Sequence, residues 1–314
     1  MLSLRSVTKR FLGATSDAVH ALSLDVAEGE VVVLVGPSGC GKTTTLRMIN
    51  RLVEPTSGQI VVEGTDVRKR DPVELRRGIG YVIQTVGLMP HRTVAQNIAT
   101  VPDLMGWEPK LRDARVRELA LLLELDADLL PRYPGELSGG QRQRVGVARA
   151  LAVDPPVMLM DEPFGAVDPV VRARLQDQFL EIQRGLRKTI VFVTHDVDEA
   201  VKMADRIAIL NVGGILEQYA PPEEILRSPA NAFVADFVGE ERGLKRLGLI
   251  TVRDVPLAPG SAPVDAPVVA DDRTMREALD ILVTSGSTAV VVTGSDGERR
   301  GVLTLERISR ELAT

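Results

Sequence analysis

Residues 31–45 read VVVLVGPSGCGKTTT, an apolar run followed by a glycine-rich loop and the start of a helix. Gly36, Gly41, Lys42 and Thr43 match the pattern G-x-x-x-x-G-K-[ST], in the strand-loop-helix context that this pattern requires. Glycine lets backbone N–H groups approach an anion closely, and the N-terminal end of the helix favours negative charge. An ordinary glycine-rich turn needs neither the lysine nor the hydroxyl. The stretch therefore predicts a site for a nucleoside triphosphate.

The side chains of this loop have distinct expected partners. Lys42 would place its ammonium group on the β- and γ-phosphates, and Thr43 would offer its hydroxyl to Mg²⁺. The loop residues expected to contact the nucleotide are Gly36, Pro37, Ser38, Gly39, Cys40, Gly41, Lys42, Thr43 and Thr44.

Composition narrows the class of protein. The 314 residues have a formal net charge of −5, which gives no basic field to attract nucleic acid. The only cysteine, Cys40, lies in the glycine-rich loop, so a disulfide within one chain is excluded and a reducing compartment is expected. The first residues lack a secretory signal, and the apolar runs are shorter than the ~20 residues of a membrane-spanning helix. We expect a cytoplasmic protein that reaches a membrane only through a partner.

Apolar strands alternate with helical segments along the chain, which predicts an α/β fold. Continuous apolar runs at residues 31–35, 79–84, 157–163 and 189–196 are typical of strands buried in a parallel sheet. Residues 2–26 alternate apolar and polar positions and predict an additional pair of strands.

The remaining segments suggest two domains. Helical periodicity dominates residues 93–154, and the first domain is expected to span residues 1–240. Residues 241–267 are rich in proline and glycine, which predicts a linker. Residues 268–314 then predict a small βαββα unit.

Two carboxylates close one of the buried strands. Asp161 is placed to hold Mg²⁺ directly or through water, and Glu162 to polarise the water that attacks the γ-phosphate. Adjacent acids can also form a solvated turn. Because a phosphate loop precedes them in the same sheet, we favour the catalytic interpretation.

Polar side chains also end two other strands of the predicted sheet. His195 is placed to contact the γ-phosphate, although a lone histidine is usually a structural hydrogen-bonding group. The amide oxygen of Gln84 is placed to complete the magnesium shell. Either residue alone would be weak evidence for a functional role. Both lie at strand ends of the same predicted nucleotide-binding sheet, however, and this favours a functional role for each.

Residues 137–141, LSGGQ, form a second glycine-rich helix start. This helix start would offer free N–H groups to an anion from the residues Ser138, Gly139, Gly140 and Gln141. One triphosphate, however, needs only one such binding site. We therefore expect these residues to act on the nucleotide of a second copy, held in a C₂ dimer.

These residues resemble the ATP-binding cassette (ABC) family. The strings GPSGCGKTT, LSGGQRQRV, VMLMDEP, GAVD and VTHD occur in the order of that family, over roughly residues 1–240. The resemblance implies a homodimeric P-loop ATPase domain with a helical subdomain and an antiparallel β subdomain, which uses ATP and Mg²⁺. The roles it implies are Phe11 stacking on adenine, Lys42 and Thr43 on phosphate and magnesium, Gln84 sensing a membrane permease, Glu162 as catalytic base, Asp168 at the dimer seam and His195 as a switch.

A finer resemblance is to the ATPase subunits of osmoprotectant importers, which carry glycine betaine, carnitine or choline. It rests on strings such as MINRLVEPTSGQIVVEG, MDEPFGAVDP and TIVFVTHDVDEA. Those subunits carry cystathionine-β-synthase (CBS) type domains, and the C-terminal unit resembles one such motif. Arg307 stands where the T-x-x-D pattern from Thr304 would place a ribose-binding aspartate. A regulatory nucleotide and a purely structural, dimerising role both stay open for this unit.

Other classes of function stay open at this stage. The sequence does not identify the solute, because the permease and a substrate-binding protein would contact it. An importer ATPase for another small solute, a soluble ABC ATPase acting in DNA repair or translation, and a mainly regulatory module are the alternatives. The repair and translation enzymes usually carry coiled-coil insertions or paired cassettes, and the sequence shows neither. Phe11 has an alternative as well, because a phenylalanine at this place is as often a core residue.

Overall fold

The chain divides into two compact units, Met1–Tyr219 and Ala220–Thr314. The computed structural model describes residues 1–84, 87–165, 168–258 and 265–313. Residues 166 and 167 of the GAVD string and residues 259–264 of the expected linker lie outside the described residues.

A six-stranded sheet forms the centre of the first unit, with strand order β10-β9-β3-β8-β7-β6. Its strands are β3 (Val31–Val35), β6 (Ile79–Val82), β7 (Val157–Asp161), β8 (Thr189–Val193), β9 (Arg206–Asn211) and β10 (Ile215–Ala220). Every residue of β3, β7 and β8 is buried. These strands read as continuous apolar runs because both of their faces are covered by other parts of the unit, which include the antiparallel strands described next.

The register of this sheet determines where the polar strand ends lie. β3 pairs in parallel with β8, β8 with β7, and β7 with β6. Asp161 at the end of β7 lies opposite Val193 at the end of β8. The carboxyl ends of these strands therefore share one edge, and the predicted α/β arrangement is confirmed.

A four-stranded sheet, with order β2-β1-β4-β5, adds the antiparallel part of the first unit. Its strands are β1 (Leu2–Lys9), β2 (Val19–Val26), β4 (Ser57–Val62) and β5 (Thr65–Asp66). Both β2 and β4 pair antiparallel with β1. Buried side chains alternate along these strands, as the sequence predicts, because one face of the sheet packs on the core.

The helices of the first unit are mostly short. They are α1 (Lys42–Ile49), α2 (Pro72–Arg77), α3 (Val94–Ile98), α4 (Thr100–Leu104), α5 (Pro109–Leu122), α6 (Gly139–Leu151), α7 (Pro169–Leu186) and α8 (Val197–Met203). The predicted helical region between residues 93 and 154 contains α3 to α6. Among the described residues, no helix combines the length and the apolar character needed to cross a bilayer.

The second unit is a small α+β unit. It contains α9 (Pro222–Arg227), α10 (Ala232–Val238), α11 (Arg242–Leu247), β11 (Val268–Ala270), α12 (Met275–Ser285), β12 (Ala289–Thr293), β13 (Arg299–Thr304) and α13 (Leu305–Ala313). β12 pairs in parallel with β11 and antiparallel with β13. The order from β11 to α13 is the βαββα order expected from the sequence.

The structure differs from the sequence over the expected linker. The division between the units falls at Tyr219, and residues 241–267 include helix α11 and a 3₁₀ turn at Val252–Asp254. Leu247 and Val252 are 0% exposed and belong to the core of the second unit. Proline and glycine content indicated a linker, but the buried apolar side chains make this segment part of a folded unit.

We expect Leu247→Ala to destabilise the second unit by about 2–5 kcal/mol, because truncating a buried leucine loses apolar burial and leaves a cavity. The matched control is Leu244→Ala on the same helix, where the side chain is 39% exposed. Urea denaturation of the full chain should show an earlier transition only for Leu247→Ala. Equal effects of the two substitutions would contradict the assignment of α11 to the core.

Candidate functional site

The glycine-rich loop fits tightly against its surroundings, so two of its glycines cannot carry a side chain. A Cβ on Gly36 would lie 2.1 Å from the carbonyl oxygen of Leu210, and one on Gly41 would lie 2.3 Å from that of Ala18. Gly41 has φ 96° and directly precedes helix α1. The close approach explains why the sequence needs glycine at these positions.

Lys42 lies across the mouth of this loop. Its Nζ donates hydrogen bonds to the carbonyl oxygens of Gly36 at 2.7 Å and Pro37 at 3.0 Å. It also lies 3.6 Å from the Sγ of Cys40, whose side chain is fully buried. Lys42 is 7% exposed, and among the described residues its hydrogen bonds go to neutral groups of this loop and no direct ion pair neutralises its charge.

A hydrogen bond joins Thr43, on the helix that follows β3, to Asp161 at the end of β7. The Thr43 hydroxyl donates to Asp161 Oδ1 at 2.9 Å, and Asp161 is 7% exposed. Burial raises the pKa of the Asp161 carboxyl, and the charge of Glu162 raises it further, whereas the Thr43 hydrogen bond and the cations Arg47 and Lys42 lower it. Burial is the largest of these effects.

Arg47 is a site residue that the sequence analysis missed. It lies one turn after Thr43 on α1, and its charge lowers the pKa of Asp161. Arg47 also lowers the pKa of the neighbouring Tyr81 hydroxyl, which burial raises more strongly. The spacing of four residues from Thr43 on one helix is a signal that could have found it.

The carboxylate of Glu162 is held between the ends of two other strands. Gln84 Nε2 donates to Glu162 Oε2 at 2.8 Å, and His195 Nδ1 lies 3.2 Å from Glu162 Oε1. The Glu162 side chain is 20% exposed and that of His195 is 62% exposed. The structure thus brings together the three polar residues that the sequence placed at strand ends.

The backbone at Glu162 explains how its side chain is oriented. Glu162 has φ 46°, a left-handed conformation that L-residues with side chains rarely adopt. Its N–H donates to the carbonyl of Val193 at 2.9 Å, and its carbonyl accepts from Gly165 at 3.1 Å. Strain of this kind costs on the order of 1–3 kcal/mol and is typical of functional sites.

The predicted nucleobase contact lies on the connection between β1 and β2. The Phe11 ring is 43% exposed, and Lys9 Nζ lies 5.0 Å from its centroid. Nearby, Asp17 accepts from Arg10 at 2.7 Å and contacts His20 Nδ1 at 2.8 Å. An exposed ring beside ordered charged groups can stack on a planar base, which favours the surface interpretation of Phe11 over the core one.

Ser138, Gly139, Gly140 and Gln141 lie at the start of α6 and not at the glycine-rich loop. Ser138 Oγ accepts from the Gln141 N–H at 3.2 Å, and Gln141 Oε1 accepts from the Ser138 N–H at 2.8 Å. This capping box fixes the helix start. Among the described residues, no hydrogen bond joins this segment to the loop from Gly36 to Thr43.

Asp168 begins the neighbouring helix, α7. Its Oδ1 accepts from the Val171 N–H at 3.1 Å, an N-cap. A Cβ on Gly140 would lie 3.3 Å from Val171 Cγ1, so the starts of α6 and α7 are close. The two segments that the sequence assigned to a dimer seam thus occur side by side in one chain.

The donor set of the site fits a magnesium ion. Thr43 Oγ1 and Asp161 Oδ1 lie 2.9 Å apart, and hydroxyl and carboxylate oxygens are the ligands that Mg²⁺ prefers. Burial raises the pKa of the Asp161 carboxyl, and a bound cation would favour the ionised form that burial disfavours. The third predicted ligand is Gln84, whose amide nitrogen donates a hydrogen bond to the Glu162 carboxylate.

Comparisons with known proteins agree with this geometry. A family model described as ABC transporter matches residues 19–165. The chain is 48% identical over 310 residues to the glycine betaine/carnitine/choline transport ATP-binding protein OpuCA of Bacillus subtilis, covering 99% of this chain and 80% of that protein. It is 49% identical over 306 residues to the osmoprotectant import ATP-binding protein OsmV of Salmonella typhimurium, covering 96% and 78%.

A solved structure is similar as well. The dimeric structure of a post-hydrolysis state of the ATP-binding cassette MJ0796, bound to ADP and Pi, matches with a TM-score of 0.63 and 33% identity, covering 70% of this chain and 98% of that chain. The site is therefore that of a P-loop ATPase. The chain belongs to the ABC transporter family, as the sequence indicated, and ATP is its nucleotide.

We expect Asp161→Asn to raise the free energy of unfolding at pH 7. The folded state raises the pKa of Asp161, so the folded protein binds a proton more readily than the unfolded chain, and stability falls as pH rises through that range. The neutral amide removes this cost and keeps an oxygen that can accept from Thr43.

Thermal unfolding of both proteins over a range of pH is the measurement. The difference should vanish below about pH 3.9, the ordinary pKa of aspartate, where the carboxyl is protonated in both states. Asp272→Asn, at an exposed carboxylate of the second unit, is the control. A difference between wild type and Asp161→Asn that is independent of pH would contradict the assigned cause.

Proposed function

We propose that this chain is the ATP-hydrolysing subunit of an importer for quaternary amine osmoprotectants, such as glycine betaine, carnitine or choline. The observation that carries the catalytic part is the Glu162 carboxylate, held by Gln84 and His195 beside the Thr43–Asp161 pair. The solute class rests on the relatives, whose names include these compounds or osmoprotectants in general.

In this proposal the glycine-rich loop holds the triphosphate. Residues 36–44 surround the phosphates, and Lys42 transfers its hydrogen bonds from the loop carbonyls to the β- and γ-phosphate oxygens. A phosphate carries the negative charge that the loop carbonyls lack, so the exchange is electrostatically favourable. Phe11 stacks on the adenine. Mg²⁺, held by Thr43, Asp161 and Gln84, would neutralise charge on the phosphates when bound.

Glu162 acts as the general base. Its carboxylate accepts a proton from water while the water oxygen attacks the γ-phosphorus, and the bond to the β-γ bridging oxygen breaks to give ADP and phosphate. His195 reaches the same carboxylate through Nδ1, so its ring is placed to orient Glu162 and the γ-phosphate together. Gln84 joins the carboxylate to the segment that follows β6 and would signal permease contact to the base.

The second copy completes each site. Ser138, Gly139, Gly140 and Gln141 at the start of α6 would bind the γ-phosphate held by the partner, with Asp168 at the seam. The dimeric structure of MJ0796 supports such an arrangement for a related cassette. Closure of two copies on two ATP molecules then drives an integral membrane permease between its two states.

The proposed location follows from these partners. The chain would lie on the inner face of the cell membrane, bound to permease subunits that receive solute from a substrate-binding protein. No nucleic acid is expected as a partner. An aromatic cage in that binding protein would recognise a quaternary ammonium group through cation–π interactions.

The second unit enters the proposal as a single CBS-like motif that pairs with its twin in the dimer. The Thr304 hydroxyl accepts from the Arg307 N–H at 3.2 Å, and the Arg307 guanidinium pairs with Glu311. A cation thus occupies the position of the ribose-binding carboxylate. This favours a dimerising role, because a regulatory nucleotide would need another group to hydrogen-bond its ribose.

We expect Glu162→Gln to bind ATP with wild-type affinity and to lose 10²-fold or more in kcat, because an amide of the same shape cannot accept the proton. The variant should also accumulate as an ATP-bound dimer in gel filtration. Glu181→Gln, the same change at an exposed position on α7, is the control. Steady-state hydrolysis at the wild-type rate in Glu162→Gln would remove this residue from the role of base.

Uptake by the reconstituted complex tests the solute. Proteoliposomes that contain this chain and the permease encoded beside it should take up glycine betaine, carnitine or choline only with ATP on the side of the ATPase. The complex carrying Glu162→Gln should show no uptake above background. ATP-dependent uptake of a different solute, with none of these amines transported, would overturn the proposed substrate class and leave the ATPase assignment intact.

A further inference from the structure

A buried carboxyl lies directly behind the turn that carries His195. Glu199 is 6% exposed and lies on α8, the helix that follows this turn. Its Oε1 accepts from Gln176 Nε2 on α7 at 2.9 Å, and the neighbouring Thr194 side chain lowers the pKa of its carboxyl. Thr194 is 2% exposed and immediately precedes His195. One buried acid therefore joins the end of β8 to the middle of α7.

The same turn is tied to the start of α7 at a second point. Asp196 caps α8 by accepting from the Glu199 N–H at 3.2 Å, and its N–H donates to the Thr194 hydroxyl at 3.0 Å. Arg172 Nη1 lies 3.8 Å from Asp196 Oδ2. The N–H of Arg172 donates to the carbonyl of Asp168 at 2.8 Å. The turn is thereby connected to the residue that begins α7.

This cluster borders the catalytic carboxylate. A cavity of about 10 Å³ has Glu162, Thr194, His195, Asp196 and Glu199 in its lining. That volume is close to the room that one water molecule requires. Groups on opposite sides of so small a space cannot move independently, because the packing around them is dense.

Burying the Glu199 carboxyl in this cluster costs more free energy than a purely structural contact would require. Burial raises the pKa of the Glu199 carboxyl, and the charge of Asp196 raises it further, while hydrogen bonds from Thr194 and Gln176 and the charge of Arg172 lower it. Apolar side chains of similar volume would fill the same space without desolvating a carboxylate. Buried polar groups with fully specified partners instead fix one arrangement of the elements that they join.

We propose that Glu199 is a positioning residue, which through Gln176 and Thr194 couples the position of helix α7 to the placement of His195 against Glu162. This inference rests on the proposed roles of His195 and Glu162. Because Asp168 is the N-cap of α7, contact with a second copy at that residue would move α7, the helix whose Gln176 is hydrogen-bonded to Glu199. Closure of the dimer and the orientation of His195 against Glu162 would therefore occur together.

Exchange of the amide and the carboxylate tests the coupling. Gln176→Glu places two acids against each other, and Gln176→Leu removes the donor without adding charge. The double variant Gln176→Glu with Glu199→Gln restores one amide–carboxylate hydrogen bond in the reverse direction. Hydrolysis of Mg-ATP by the purified full chain gives kcat and KM for each, expressed per folded molecule from circular dichroism.

We expect Gln176→Glu and Gln176→Leu to lower kcat by about tenfold or more, because displacing a catalytic group by about 1 Å can cost ~10²-fold. KM for Mg-ATP should change less than about twofold, since these residues do not contact the nucleotide loop. The double variant should recover kcat to within a few-fold of wild type. Glu181→Gln on the exposed face of α7 should match wild type in both constants.

The outcomes separate this inference from the proposed function. If kcat per folded molecule stays at the wild-type value in Gln176→Leu, or if the double variant fails to recover, Glu199 is only structural and the coupling is overturned. Loss of thermal stability without a change in kcat would likewise show that Glu199 is only structural. If Glu162→Gln instead hydrolyses ATP at the wild-type rate, the proposed site itself fails. The solute plays no part in either measurement.

Discussion

The parallel register of β3, β8, β7 and β6 is the constraint on which the site depends. Parallel pairing places every carboxyl end at one edge, so the loop after β3, Gln84 after β6, Glu162 after β7 and His195 after β8 meet without long connections. A shift of one residue in any pair would turn each inward side chain outward. The polar residues that end these apolar strands oppose such a shift, because it would carry one of them into the fully buried part of the sheet.

Charges at this edge are kept buried at a cost in stability. Lys42 and Asp161 are each 7% exposed and Glu199 is 6% exposed, and burial raises the pKa of both carboxyls. The protein supplies neutral hydrogen-bonding partners, namely loop carbonyls, Thr43 and Gln176. Neutral partners orient a charge and leave its field available, whereas a direct ion pair would neutralise it. Such a site is built to attract opposite charge from outside.

Local patterns were sufficient to predict the fold and most of the candidate site. The glycine-rich loop, the apolar strands and the polar residues that end them are each encoded within a few neighbouring positions. The pairing of Gln176 with Glu199 was not found because it joins two helices far apart in sequence, whereas Arg47 could have been found from its spacing to Thr43 on one helix. The expected linker differs from the structure for another reason. Its proline content was given more weight than the apolar residues of the segment, Leu247 and Val252 among them, which are buried.

The proline-rich stretch is therefore anchored on both sides within one folded unit. Ala258 exchanges two backbone hydrogen bonds with Val302, at 2.9 and 3.1 Å, and Val268 begins a strand paired with β12. Chimeras that exchange the second unit should therefore be joined at Tyr219, so that both of these anchors stay within the unit to which they belong.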